Sequence, residues 1–157
     1  MGVGFMVMGL YESFLYSFLA TIAFAVLFQA PKRTLIISGV IGAIGWVVFV
    51  YLRQYLEYNS FHANFLATVA LALISELSAR MFKQPATVFL IPGIIPLVPG
   101  LGMYQGMKQI IEKSYDNGVT TLLTAGTDSA AIALGIMVIA SIFRVIKIRA
   151  TKNFWTK

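Results

Sequence analysis

The chain has 157 residues, of which 59% are apolar and 11% charged, with a formal net charge of +6. A soluble domain carries roughly 25% charged residues, so this chain cannot cover its surface in water and needs lipid as its solvent. Cysteine is absent, which excludes a disulfide framework, a thiolate metal site and a cysteine nucleophile. The basic residues fall between apolar runs instead of forming one stripe, which favours a membrane surface over nucleic acid as partner.

A membrane span needs about 20 mostly apolar residues. The first such run covers 10–28 and carries Glu12 near its start, which reads as an interfacial residue or a proton-linked carboxylate. Residues 1–8 hold no positive charge and the run is long, so it reads as a span and not as a cleaved signal peptide. The second run covers 35–52 and the third 61–79. The fourth, 86–104, is interrupted by Pro92, Gly93, Pro96, Pro99 and Gly100. The stretch 107–115 sets Met107, Ile110, Ile111 and Tyr115 on one face. That pattern predicts a helix lying at the interface, closed by Asn117-Gly118 as a C-terminal cap. The fifth run covers 119–145 and is most apolar after Ser129. The expected fold is all-α and integral to the membrane: one transmembrane domain of about five helices, the fourth broken by Pro and Gly.

Lys and Arg are enriched on cytoplasmic loops. Lys32 and Arg33 follow the first span, Arg80 and Lys83 the third, and Arg144, Lys147, Arg149, Lys152 and Lys157 the fifth. The opposite side holds Arg53, Lys108 and Lys113. The bias places the N-terminus outside and the C-terminus in the cytoplasm. Small residues let helix backbones approach within lipid. The second span offers Ser38, Gly39, Gly42, Ala43 and Gly45, and the fifth Gly126, Ala130, Ala133 and Gly135. They serve packing within the bundle or a docking face for a partner subunit.

Chemistry concentrates in two places. From Phe89 to Gly100, prolines remove backbone donors and clash with the preceding turn, so a continuous helix is not expected. Freed backbone groups facing lipid cost several kcal/mol each, so such a break belongs inside protein or along a watery cavity. Half-helix N-termini at breaks of this kind face anionic groups in transporters. The alternative is a kinked or re-entrant helix without a ligand. Asp128, in Gly126-Thr127-Asp128-Ser129, is an ionisable residue within an apolar run and a candidate site residue. It reads equally as the N-cap of a helix beginning at Ser129. Glu76 and Arg80 have the i, i+4 spacing of an ion pair. Alternatively, Arg80 and Lys83 draw an anionic substrate toward the break. His62 stands alone at a span boundary, so no metal cluster is expected, and it reads as interfacial. Trp46 reads as packing, and Tyr51, Tyr55, Tyr58 and Trp155 as interfacial anchors. No catalytic triad, phosphate loop or paired-carboxylate site is visible, so an enzyme is not expected.

The run Ala79-Arg80, Lys83, Pro85 and Ile91-Pro92-Gly93-Ile94-Ile95-Pro96-Leu97-Val98-Pro99-Gly100, followed by Tyr104, Gly106, Met107 and Gly118, resembles the small-subunit (C-terminal half) domain of the bacterial threonine/serine exporter family. The resemblance implies a secondary exporter of small carboxylate metabolites in the bacterial inner membrane, without cofactor. Threonine and serine are handled by known branches, and dicarboxylates such as succinate by a two-subunit branch. Single-chain members carry a related five-span half first, so this chain reads as one component working with a larger partner subunit of the same family. A homo-oligomer of that complex stays open. With the orientation inferred from charge, the two halves would form an inverted repeat. The expected transport path comprises Pro92, Gly93, Pro96, Pro99, Gly100, Asp128, Ser129, Arg80, Lys83, Glu76 and Tyr104. In it the Gly93 and Gly100 amides act as donors and Asp128 meets a proton or an ammonium group. The alternative is a non-transporting membrane subunit that stabilises a partner.

Overall fold

A computed structural model describes the backbone of residues 9–152 and the side chains of 9–145. Residues 1–8, the side chains of Lys147, Arg149 and Lys152, and Trp155 and Lys157 lie outside the described residues. Six α-helices follow one another: α1 Leu10–Leu27, α2 Leu35–Gln54, α3 Ser60–Phe82, α4 Thr87–Ile94, α5 Gly100–Ile111 and α6 Tyr115–Lys152. Among the described residues there is no strand. Among the described residues four helices are long and apolar enough to cross a membrane, and α4 with α5, bent by 44° at the break, has the length and composition of a broken fifth span or of a re-entrant loop.

The distribution of side chains suits lipid. The buried residues of α1 are Ser13, Ser17, Thr21 and Ala25, four residues apart. Its exposed residues include Tyr11, Leu15, Tyr16, Leu19, Phe24 and Leu27. A helix in water would turn the other way. In lipid there is no gain from hiding leucine, and small residues are placed inward because they allow close backbone contact. α2 supplies the other half of this contact, with Ser38, Gly39, Gly42, Ala43 and Gly45 all buried. A Cβ added at Gly42 would collide with Thr21 of α1, and one at Gly45 would lie 2.6 Å from Leu71 Cδ1 of α3. The small residues of α2 therefore pack the bundle. Of the four small residues singled out on α6, Gly135 alone is buried, a Cβ there meeting Thr68 and the Phe65 carbonyl, while Gly126, Ala130 and Ala133 face outward.

α2 and α4 lie side by side in the same direction, with Ser38 level with Val88 and Gly42 level with Gly93. α3 and α6 are also parallel, since Ser60 meets Asp128, Thr68 meets Gly135, and Arg80 meets Phe143. The core between them is built from Ile41, Leu71, Phe89, Leu97 and Ile132. Leu71, fully buried, packs against Gly45, and an added Cβ at Gly93 would lie 3.5 Å from it.

The break in the fourth span is narrower than the Pro and Gly spacing suggests. Pro92 and Gly93 lie inside α4 in helical conformation. The amide that Pro92 lacks would have served the Val88 carbonyl, which instead accepts from Ser38 Oγ of α2 at 3.4 Å. A 3-10 turn, Ile95–Leu97, follows, and the chain then extends at Val98 (φ −62°, ψ 128°) and turns at Pro99 (φ −77°, ψ 48°) before α5 begins.

Two expectations are corrected by what comes next. Residues 107–111 do not form a separate interfacial helix but complete α5, which folds back on the start of α6. Gly106 and Gly118 permit the contact, an added Cβ at Gly106 meeting Leu122 and one at Gly118 meeting Ile110. Thr121 Oγ1 also donates to Gln109 Oε1 at 2.9 Å. Asn117-Gly118 is not a C-cap, because both residues lie in the first turns of α6. The cap is formed by Lys113 at φ 63°, with Ser114 N donating to Gln109 O and Lys113 N to Ile110 O. α6 has 38 residues. Its residues 115–127 run on for about 20 Å past the start of α3, so the α5–α6 hairpin stands beyond that end of the bundle.

Candidate functional site

A cavity of about 590 Å³ opens where the break, the end of α2 and the start of α3 converge. Its lining includes Trp46, Arg53 and Gln54 of α2, Ser60 and Asn64 of α3, the turn from Pro96 to Pro99, Leu101 of α5, and Asp128 of α6. Each element has a local reason to end or pass here. α3 starts at this level because Asn59 caps it, its side chain accepting from Phe61 N at 3.1 Å. α5 starts here because Pro99 cannot continue the preceding turn. Two helix N-termini thus meet at one cavity, and the positive ends of their dipoles bias it toward negative charge.

Asp128 is the acidic residue on the lining, and it is 9% exposed. It lies well inside the continuous helix α6, so the N-cap reading is wrong. Its Oδ2 accepts from Ser60 Oγ at 2.8 Å, while its Oδ1 is buried without a partner. Asn64 Nδ2 donates to Ser60 Oγ at 3.4 Å, and Asn64 Oδ1 is likewise buried and unpartnered. Arg53, the basic residue on the lining, donates from its guanidinium to Tyr58 O at 3.0 Å. Among the described residues it forms no ion pair with Asp128.

Of the residues singled out in the sequence, the cavity gathers Pro96, Pro99 and Asp128. Gly100 adjoins it, but its N–H donates to Val98 O at 2.8 Å and is no free donor. Gly93 is helical and packs toward Gly42 and Leu71. Pro92 lines a second cavity of about 370 Å³ at the opposite end of α4, with Phe28, Gln29, Pro31, Thr87 and Ile91. Ser129 is exposed and donates to Ala125 O, and Tyr104 is exposed on the outer face of α5. Glu76 and Arg80 form no ion pair. Arg80 instead extends over the Phe143 ring, 4.7 Å from its centroid. Lys83 is the left-handed residue that caps α3. Arg80 and Lys83 lie at the far end of α3 from Ser60, about 30 Å away, so they do not stand beside the break.

Arg53, Gln54, Ser60, Asn64 and Trp46 were not expected here. For the α3 pair a signal exists: Ser60, Asn64, Thr68, Ser75 and Ser78 fall on one face of a span otherwise rich in Leu, Ala and Phe. All but Ser60 are buried, and Thr68 Oγ1 and Ser75 Oγ have no partner. Leu71 lies on the same face between them.

Residues 13–142 match the family model described as Threonine/Serine exporter, ThrE. The chain belongs to the threonine/serine exporter family. A threonine/serine exporter from Corynebacterium glutamicum is 30% identical to it over 115 residues, which are 73% of this chain and 23% of that protein. The chain thus spans about a quarter of that relative's length. No solved structure matches it. Threonine/serine exporters are transporters and not enzymes, and the apolar helices make this member a multi-pass membrane protein.

Proposed function

We propose that the chain is the membrane subunit of a secondary exporter whose substrate binds in the cavity between Arg53 and Asp128. The observation that carries this reading is the convergence of two helix N-termini, α3 and α5, on a cavity that also holds one carboxylate and one guanidinium. The amide-rich ends and Arg53 favour a carboxylate. Asp128 Oδ1 favours an ammonium group, which supplies the proton donors it lacks. A small α-amino acid presents both charges at the needed polarity, whereas a dicarboxylate would set its second carboxylate against Asp128. The relative from Corynebacterium glutamicum, a threonine/serine exporter, supports the same choice.

The two cavities support alternating access. Pro96 lines one and Pro92 the other. The single turn of α4 between them, with Leu71 seated against Gly45 and Gly93, is the barrier. Tilting α4 at the non-helical Val98–Pro99 joint would open one side and close the other. Lys32, Arg33, Arg80, Lys83 and Arg144 all lie at the second-cavity end, and this excess of Lys and Arg supports a cytoplasmic second cavity and an Asp128 cavity toward the outside.

A larger partner of the same family completes the path. Two faces of this chain support it. Gly126, Ala130 and Ala133 form an outward stripe of small residues on α6, and a Cβ added at Gly126 meets nothing within 4 Å. The hairpin also exposes Leu101, Tyr104, Met107, Ile111, Tyr115 and Leu123 beyond the end of α3.

Efflux of preloaded labelled threonine, serine and succinate from cells carrying the complete transporter tests this. The two amino acids are expected to leave and succinate to be retained. Gly126→Leu is expected to keep this chain in the membrane, lose the partner on purification and abolish efflux. Succinate efflux equal to that of threonine, or full efflux with Gly126→Leu, contradicts the substrate reading and the partner reading respectively.

A further inference from the structure

The cluster Ser60–Asn64–Asp128 is short of donors. Ser60 has one hydroxyl proton, and Asp128 Oδ2 takes it. Asn64 Nδ2 points to the same Ser60 oxygen. This leaves Asp128 Oδ1 and Asn64 Oδ1 as buried acceptors with nothing to accept, on residues 9% and 2% exposed. Leaving such groups bare costs about 1–3 kcal/mol each, more for a charged one. The end of α3 does not relieve them. Its Phe61 and Ala63 amides are taken by the side chain and carbonyl of Asn59. Arg53 forms no ion pair with Asp128 among the described residues.

We infer that Ser60, Asn64 and Asp128 bind a small monovalent cation of the sodium class. The ligand chemistry selects it. All three groups offer oxygen, which suits a hard cation. They bring one negative charge, which a monovalent ion neutralises and a divalent ion would overshoot in a low-dielectric setting. Among the described residues there is no group of three His, Cys, Asp or Glu side chains to hold a transition metal. All three residues line the same cavity, which brings an ion from solvent to the edge of the cluster.

The consequence for transport rests on the reading of the preceding subsection. The ammonium group of an α-amino acid and the cation would use the same Asp128 oxygen, so the two exclude each other. Exclusion of this kind couples the inward step of one to the outward step of the other.

Trp46 lines the cavity, and the chain has two tryptophans. In a Trp155→Phe background, Trp46 therefore reports occupancy. The purified full-length protein is titrated with sodium chloride against choline chloride at constant ionic strength, following fluorescence and thermal melting. A saturable response and a raised melting temperature are expected with sodium only. The apparent affinity should fall about tenfold or more in Asp128→Asn and in Asn64→Leu, with melting in choline chloride no lower than that of the parent, to show that both remain folded. Threonine should shift the sodium midpoint upward and succinate should not. No sodium-specific response, a response to pH alone, or a sodium response that survives both substitutions overturns the site. Threonine binding without sodium binding would remove the cation site and leave the export reading standing. Sodium binding unaffected by threonine would keep the site and remove the exchange.

Discussion

Replacing Asp128 by asparagine is expected to lower threonine efflux by about 10- to 100-fold while the protein stays folded and in the membrane. The substitution keeps the size of the side chain and an oxygen to accept from Ser60 Oγ, the one hydrogen bond Asp128 makes. It removes the charge and turns the second oxygen into an NH2 donor. A hydrogen bond to a charged group contributes about 1.5–3 kcal/mol, and every 1.4 kcal/mol of lost transition-state stabilisation is about tenfold in rate. The check is the initial efflux rate normalised to the amount of protein in the membrane. An unchanged rate removes Asp128 from the path. Loss of the protein itself would make Asp128 a folding residue.

The second large effect concerns folding. Gly42→Val is expected to cost about 3 kcal/mol or more, enough to remove a marginally stable bundle from the membrane. Thr21 is fully buried opposite Gly42, and a Cβ at Gly42 would also come within 2.8 Å of Thr21 Cγ2. A threonine is stiff at χ1 within a helix, and Thr21, fully buried, has little room to swing away. Neither backbone can retreat easily, because α2 is held on its other side by Leu71 at Gly45. Thr21→Ala in the same chain should recover part of the loss, since it removes the atoms in the way. Gly100→Ala should be tolerated, as nothing lies within 4 Å of the added Cβ. Unfolding of the purified protein followed by circular dichroism separates these cases. A Gly42→Val protein as stable as the parent would mean that α1 and α2 do not cross as described.

The span pattern was legible because it rests on the strongest signal a chain can carry, long apolar runs punctuated by charge. The runs at 10–28, 35–52 and 61–79 correspond to α1, α2 and α3 within a few residues. The start of α6 was not legible. Asn117-Gly118 has the composition of a turn, yet the turn is made by Lys113, and the glycine is used for close approach to Gly106. Helix ends in this chain are finished by Gln29, Lys83 and Lys113 in left-handed conformation, and no described glycine has a positive φ. Reading glycine as punctuation therefore misleads here, because its role is packing.

The site was half legible. Pro96, Pro99 and Asp128 stood out through proline chemistry and the expense of a carboxylate in an apolar run, and they do meet. Arg80 and Lys83 were placed beside the break by nearness in sequence, but α3 carries them to the other end of the bundle. Arg53 read as a loop charge because it ends its span. Only the bend at Val98–Pro99 and the direction of α3 bring it to the same cavity as Asp128. Pairings of that kind depend on which helices lie side by side, and no local pattern encodes them.

The chain contains no cysteine, so a single introduced thiol reports on its own surroundings. Val98→Cys places one on the cavity lining, at a residue 45% exposed. In membranes holding the complete transporter, a polar thiol reagent is expected to modify it, and threonine is expected to slow that modification while succinate does not. Phe82→Cys, at the Arg80 end of α3, should react at a rate indifferent to threonine. Protection of Phe82→Cys with none at Val98→Cys would place the substrate at the other end of the bundle and contradict the account.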